Sequence, residues 1–89
     1  MVESSLVIRN QLGLHIRAAS KFVQLASKFK AHVMVSSGDL EVNGKSIMGV
    51  IMLAAEEGAV IKVRAEGEDE QAAVQALEEL VADRFGEPS

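Results

Sequence analysis

His15 stands where a polar turn, Asn10-Gln11-Leu12-Gly13, gives way to a helical pattern, and Arg17 follows it two residues on. The first N–H groups of a helix have no partner inside it, and together with the helix dipole they favour an anion. An imidazole with its ordinary pKa of about 6.5 is mostly neutral, and therefore nucleophilic, near pH 7. A guanidinium can fork two N–H groups onto phosphate oxygens. A cation in the first turn of a helix opposes the dipole unless an anion sits beside it, so Arg17 itself points toward phosphate. These parts suit a histidine that is phosphorylated. By residue type alone, a histidine at a helix start also serves as a cap or a surface residue.

The elements that must place these residues follow from periodicity. Leu6 to Arg9 reads as a short buried strand ended by Asn10. From Ile16 to about Phe29, Ala18, Ala19, Phe22, Val23, Leu25, Ala26 and Phe29 recur at steps of three and four, with Arg17, Lys21, Gln24 and Lys28 opposite. Ala31–Ser37 and Leu40–Asn43 form a hairpin about Gly38-Asp39. His32, in the first of these strands, has no neighbours suited to chemistry and reads as a surface or edge residue.

Gly44-Lys45-Ser46 imitates part of a P-loop, but Asp39 occupies the position of its first glycine. Ser46 reads instead as the N-cap of a second helix, Ile47 to about Ala55, which Gly58 ends. That helix has no polar face. It is either fully buried, which a thin core can hardly accommodate, or it exposes Ile and Met as an interaction patch. The patch is the favoured reading, with Ile47, Met48 and Ile51 as its members, and Ser20 of the first helix is a further candidate for partner docking.

Ala59–Glu66 alternates as a strand with one wet face, and Gly67 ends it. Asp69 or a neighbour caps a last helix that buries Ala73, Ala76, Leu77, Leu80, Val81 and Phe85, before Gly86 and Pro88 stop it. The order strand, helix, two strands, helix, strand, helix predicts an α+β fold. It is an open-faced sandwich, a four-stranded antiparallel sheet with three helices on one face.

Composition narrows the function. The 89 residues make one domain, 1–89, with a single modest core. Aromatic residues are 3% of the chain and the net charge is −4, which disfavours nucleic acid as a partner. No cysteine is present, so thiolate and disulfide chemistry are excluded. Residues 1–5 lack the pattern of a signal peptide, and no apolar run approaches the ~20 residues of a membrane span; a cytoplasmic protein with no membrane insertion is expected. Charge is uneven: residues 1–45 carry +3 and residues 46–89 carry −7. His15 lies in the basic half, which suits phosphate and acidic partner surfaces.

Gly13-Leu14-His15-x-Arg17-x-Ala19 resembles the active-site motif of HPr, the histidine-containing phosphocarrier family of the bacterial phosphotransferase system. Ser46-Ile47-Met48-Gly49-Val50 resembles that family's regulatory-serine segment, and the likeness runs from about Leu6 to Gly86. The resemblance implies an HPr-like open-faced sandwich. It implies a monomeric carrier working through a phosphohistidine rather than a free-standing enzyme, with no cofactor and no metal. Enzyme I would pass a phosphoryl group derived from phosphoenolpyruvate to Nδ1 of His15, and IIA proteins would receive it. Arg17 would clamp the phosphate, helped by the backbone N–H groups of Ile16 and Arg17. Ser46 would be the regulatory phosphorylation site where the host carries HPr kinase/phosphorylase. Two positions depart from the family: Ala18 stands where proline is usual, and Ile16 where a small residue is usual. Alanine is a strong helix former, so the helix should persist with a less rigid mouth. The reading from another class is a non-catalytic ligand-sensing α+β module, which would need a pocket.

Overall fold

A computed structural model describes all 89 residues. Four strands, β1 (Val2–Val7), β2 (His32–Ser37), β3 (Leu40–Asn43) and β4 (Val60–Glu66), form one antiparallel sheet in the order β1-β4-β2-β3. Three helices, α1 (Ile16–Ala26), α2 (Ile47–Met52) and α3 (Glu70–Ala82), cover one of its faces. A 3₁₀ turn, Arg84–Gly86, follows α3. This is the four-stranded open-faced sandwich that the element order predicts.

The alternation of β4 shows how the sheet splits its two faces. Ile61, Val63 and Ala65 are buried against the helices, while Val60, Lys62, Arg64 and Glu66 stand on the outer face or its edge. Val33 and Val35 of β2 join the inner set, and Phe22 of α1 and Leu77 and Val81 of α3 close over them. Leu6 is the one buried residue of β1. Ser4 reaches Glu78 of α3 with a hydroxyl hydrogen bond of 2.7 Å.

Several boundaries differ from expectation. β1 runs over Val2–Val7 rather than Leu6–Arg9, because its ladder with β4 pairs Val2 with Ala65 and Val7 with Val60. Its polar centre, Glu3-Ser4-Ser5, hides an edge strand from a hydrophobicity pattern. α1 ends at Ala26, not Phe29; the amides of Lys28 and Phe29 turn back to Leu25 and Ala26 in a tighter coil. α2 ends at Met52, and Ala54 beyond it holds a left-handed φ of 49°. Phe85 is not on the buried side of α3 but in the turn after it, fully buried, with a φ of 56°.

Asp69 begins α3 without capping it by its side chain. Its carboxylate instead accepts the amides of Lys30 (2.9 Å) and Ala31 (2.8 Å) and so ties the α1–β2 loop to the start of α3. Those hydrogen bonds hold the Asp69 carboxyl below its ordinary pKa. His32 opens β2 as an exposed residue opposite Glu66.

Candidate functional site

The turn before α1 is built on Gly13. Its φ is +68°, and a Cβ there would lie 2.5 Å from the carbonyl oxygen of Ala55. Only glycine satisfies both constraints. The next amide, Leu14, donates to that same Ala55 oxygen at 2.9 Å, and buried Leu14 anchors the turn in the core. Buried Asn10 locks it from beneath, donating from Nδ2 to the Gly13 carbonyl at 2.7 Å. Its Oδ1 has no partner.

This frame delivers His15 to the N-cap position of α1 in an extended conformation, φ −72° and ψ 177°. The His15 carbonyl takes the first helical hydrogen bond, from Ala19 at 2.8 Å. No side chain caps the helix, and its first turn holds no acidic residue. The amides of Ile16, Arg17 and Ala18 therefore face outward without an intrahelical acceptor. Alanine at position 18 is fully buried and continues the helix without interruption.

The His15 side chain is 27% exposed, so the ring is not enclosed. Its Nε2 pairs with the carboxylate of Glu87, and its Nδ1 has no partner in the chain and is open to solvent. Arg17 is exposed and enters no ion pair. Both side chains line an open depression with Leu12, Ile16, Ser20, Lys21 and Gln24. The structure thus gathers His15, Ile16, Arg17 and Ser20, with Ser20 accepting from Gln24 at 3.3 Å.

Ser46 and α2 lie apart from that depression, on a helix packed against α1. The Ser46 hydroxyl is half-buried and accepts the Gly49 amide at 3.2 Å as an N-cap. Of the three residues expected in the apolar patch, Met48 (66%) and Ile47 (37%) are exposed, whereas Ile51 packs against the core. Met52, Leu12 and Ile16 are equally bare, at 63%, 70% and 70%. The all-apolar sequence of α2 therefore divides. Val50 is buried and Ile51 half-buried, while Ile47, Met48 and Met52 remain outside.

Glu87 also reaches the site, although no motif in the sequence marks it. Phe85 pins the end of the chain in the core, and Lys21 Nζ donates to the Phe85 carbonyl at 2.7 Å. Gly86, at φ +78°, then turns the chain toward His15. Glu87 there accepts from Asn10 Nδ2 (3.0 Å) and from His15. Burial penalises the Glu87 charge, yet the hydrogen bonds from Asn10 and His15 and the cations nearby outweigh it. The carboxyl is held below its ordinary pKa. Beyond it the Gln11 amide donates to the Ser89 backbone oxygen at 3.1 Å. Gly86 and Pro88 read only as stop signals, and no local pattern announces that the residue between them crosses to the first helix.

A family model described as "PTS HPr component phosphorylation site" matches residues 2–83. The chain is 54% identical over 87 residues to phosphocarrier protein HPr of Xylella fastidiosa (strain 9a5c), covering 98% of each. Its fold superposes on the crystal structure of HPr-C-His from Thermoanaerobacter tengcongensis with a TM-score of 0.96, at 45% identity and over 100% of both chains. An HPr dimer from the same organism matches with a TM-score of 0.79, at 46% identity, over 98% of this chain and 100% of the other.

Proposed function

Since this chain belongs to the HPr family of phosphotransferase-system phosphocarriers, we propose that it carries the phosphoryl group on His15, taking it from phosphorylated enzyme I and giving it to IIA proteins. The observation that carries this reading is the open Nδ1 of His15 at an uncapped helix mouth, with the unpaired Arg17 beside it. Nδ1 attacks phosphorus in line with the donor's nitrogen, and the bond from phosphorus to that nitrogen breaks. Such a transfer needs placement and charge stabilisation far more than acid–base chemistry. The Ile16 and Arg17 amides and the Arg17 guanidinium supply donors for the three phosphoryl oxygens.

Docking falls to the apolar rim. Leu12 and Ile16 beside the ring and Ile47, Met48 and Met52 on α2 present soft side chains that adapt to successive partners, with the Ser20 hydroxyl of α1 in the depression beside them and Ile51 backing the patch from the core side. Ser46 is the regulatory position. A phosphate there adds about −1.5 to −2 charges. The α2 N-terminus tolerates an anion, so the effect falls on docking: charge and bound water enter a surface that works by being apolar. The whole chain acts as one carrier domain, in the cytoplasm where its donor and acceptors meet it.

Incubation with phosphoenolpyruvate and enzyme I tests the central step. Label should appear as an acid-labile, base-stable phosphate and be absent from a His15→Ala protein. Label retained by that variant would remove His15 from the mechanism.

A further inference from the structure

The carrier chemistry uses Nδ1 of His15 and leaves the other ring nitrogen without a task, yet Nε2 is paired with a carboxylate. Its partner, Glu87, is 11% exposed and is held by a second donor, Asn10 Nδ2, itself on a fully buried side chain. The carboxylate is thus fixed in place from the core side, with the ring on its other side. An ionised carboxylate only accepts hydrogen bonds. The hydrogen between them therefore belongs to Nε2, and the lone pair of the neutral ring lies on Nδ1, at the helix mouth.

We propose that Glu87 is a positioning residue of the phosphoryl transfer, keeping a hydrogen on Nε2 of His15 through acceptance and release alike. The inference deepens the carrier reading and rests on it. On acceptance, the Nδ1 lone pair forms the nitrogen–phosphorus bond, and the electron pair of the broken bond stays with the donor's ring. No proton leaves His15, so the phosphorylated ring is a cation, and the adjacent carboxylate balances it. On release, the acceptor's nitrogen attacks phosphorus and the bonding pair returns to Nδ1. The departing group is then a neutral imidazole with its Nε2 hydrogen in place. Without that hydrogen, the ring would have to leave as imidazolate, a much stronger base and a poorer leaving group. The two nitrogens lie on different sides of the ring, so the carboxylate can hold one while the phosphoryl group occupies the other.

The same arrangement of carboxylate, imidazole and electrophile fixes tautomers in metal sites, where losing the carboxylate costs about 10–100-fold in affinity or activity. The test joins ring ¹⁵N NMR of the unphosphorylated protein to the rates of acceptance from enzyme I and of onward transfer. The wild-type ring should show the Nε2–H tautomer. Glu87→Ala should raise the share of the Nδ1–H form and slow both steps about ten-fold. Glu87→Gln keeps an acceptor oxygen and the side chain's shape but not the negative charge, so the unphosphorylated tautomer should stay as in the wild type, while the cationic phosphorylated ring gives up its Nε2 hydrogen more readily and release slows. A Glu87→Ala protein matching the wild type in tautomer and rates would overturn the role. So would a Glu87→Gln protein that releases its group at the wild-type rate. If the wild-type protein takes up no phosphoryl group, the carrier reading itself fails and this role falls with it. If the wild type is labelled and the variants behave identically, only Glu87 is dismissed.

Discussion

Arg17 sits in the first turn of α1, exposed and with no carboxylate to hold it. A structural arginine would be paired or would cover apolar surface with its stem. This one costs the fold little to remove: Arg17→Ala should leave the unfolding free energy within about 0.5 kcal/mol of the wild type. Acceptance of phosphate from enzyme I should nevertheless slow about 100-fold, the typical loss when one preorganised donor leaves a developing charge. Quench-flow with labelled phosphoenolpyruvate measures the rate, and a urea melt measures the stability. Gly13 behaves in the opposite sense. Gly13→Ala forces a left-handed alanine, at about 1–3 kcal/mol, and drives its methyl into the Ala55 carbonyl. A clear fall in the urea midpoint is expected, where an unchanged one would show that the turn yields. Both residues are legible in the sequence, because their types at a helix start suit an anion and because Gly13-Leu14-His15-x-Arg17 resembles the HPr motif; without that resemblance the histidine reads equally as a cap or surface residue. Glu87 is not, because its role depends on a fold-back that only Phe85 and Gly86 create.

Elements were legible wherever one face alone was apolar. β4 and α1 display clean periods, and both lie within a few residues of where the pattern places them. β1 begins before its apolar pattern does, because an edge strand with polar residues on both sides carries little hydrophobic signal. The helical pattern of α3 runs on to Phe85 because a buried aromatic three residues past a helix fits the helical period even when the backbone has left it. That misplaced aromatic matters for more than the boundary. Phe85→Ala should cost about 3–5 kcal/mol as a core truncation. It should also release the segment carrying Glu87, so that the His15 ring signals in NMR shift in the folded protein. Ring signals unchanged in a folded variant would show that the segment holds its place without Phe85. On α2, exposure separates docking from packing. Met48→Asp should leave the melting temperature unaltered yet weaken binding to enzyme I about ten-fold, read by titration calorimetry. Equal affinity would take the patch out of the docking surface.

Over the whole molecule, the uneven charge of the sequence is partly a folding device. Carboxylates from the acidic half reach back to the basic half: Asp69 to the amides after α1, and Glu87 to Asn10 and His15. Both are held below their ordinary pKa in the folded state, Asp69 by the Lys30 amide first, and Glu87 by hydrogen bonds and nearby cations that outweigh its burial. A depressed carboxyl pKa contributes stability above the unfolded value, and that stability is lost as pH falls through the folded one. For Glu87 the unfolded reference is 4.5. The difference in unfolding free energy between the wild type and Glu87→Gln should thus shrink on acidification below that value. Urea melts at a series of pH values measure it; a difference that grew below the unfolded value would reverse the assignment. No helix is long and apolar enough to cross a membrane.

The Leu14 amide resting on the Ala55 oxygen has a further consequence, for chain length. The turn that carries His15 takes its height from a backbone atom some forty positions downstream, in the loop between α2 and β4. That loop is therefore a ruler. Adding or deleting a single residue between Met52 and Val60 should misplace the ring as surely as altering its immediate neighbours, whereas the hairpin tip at Gly38, with open space around it, should tolerate the same edit.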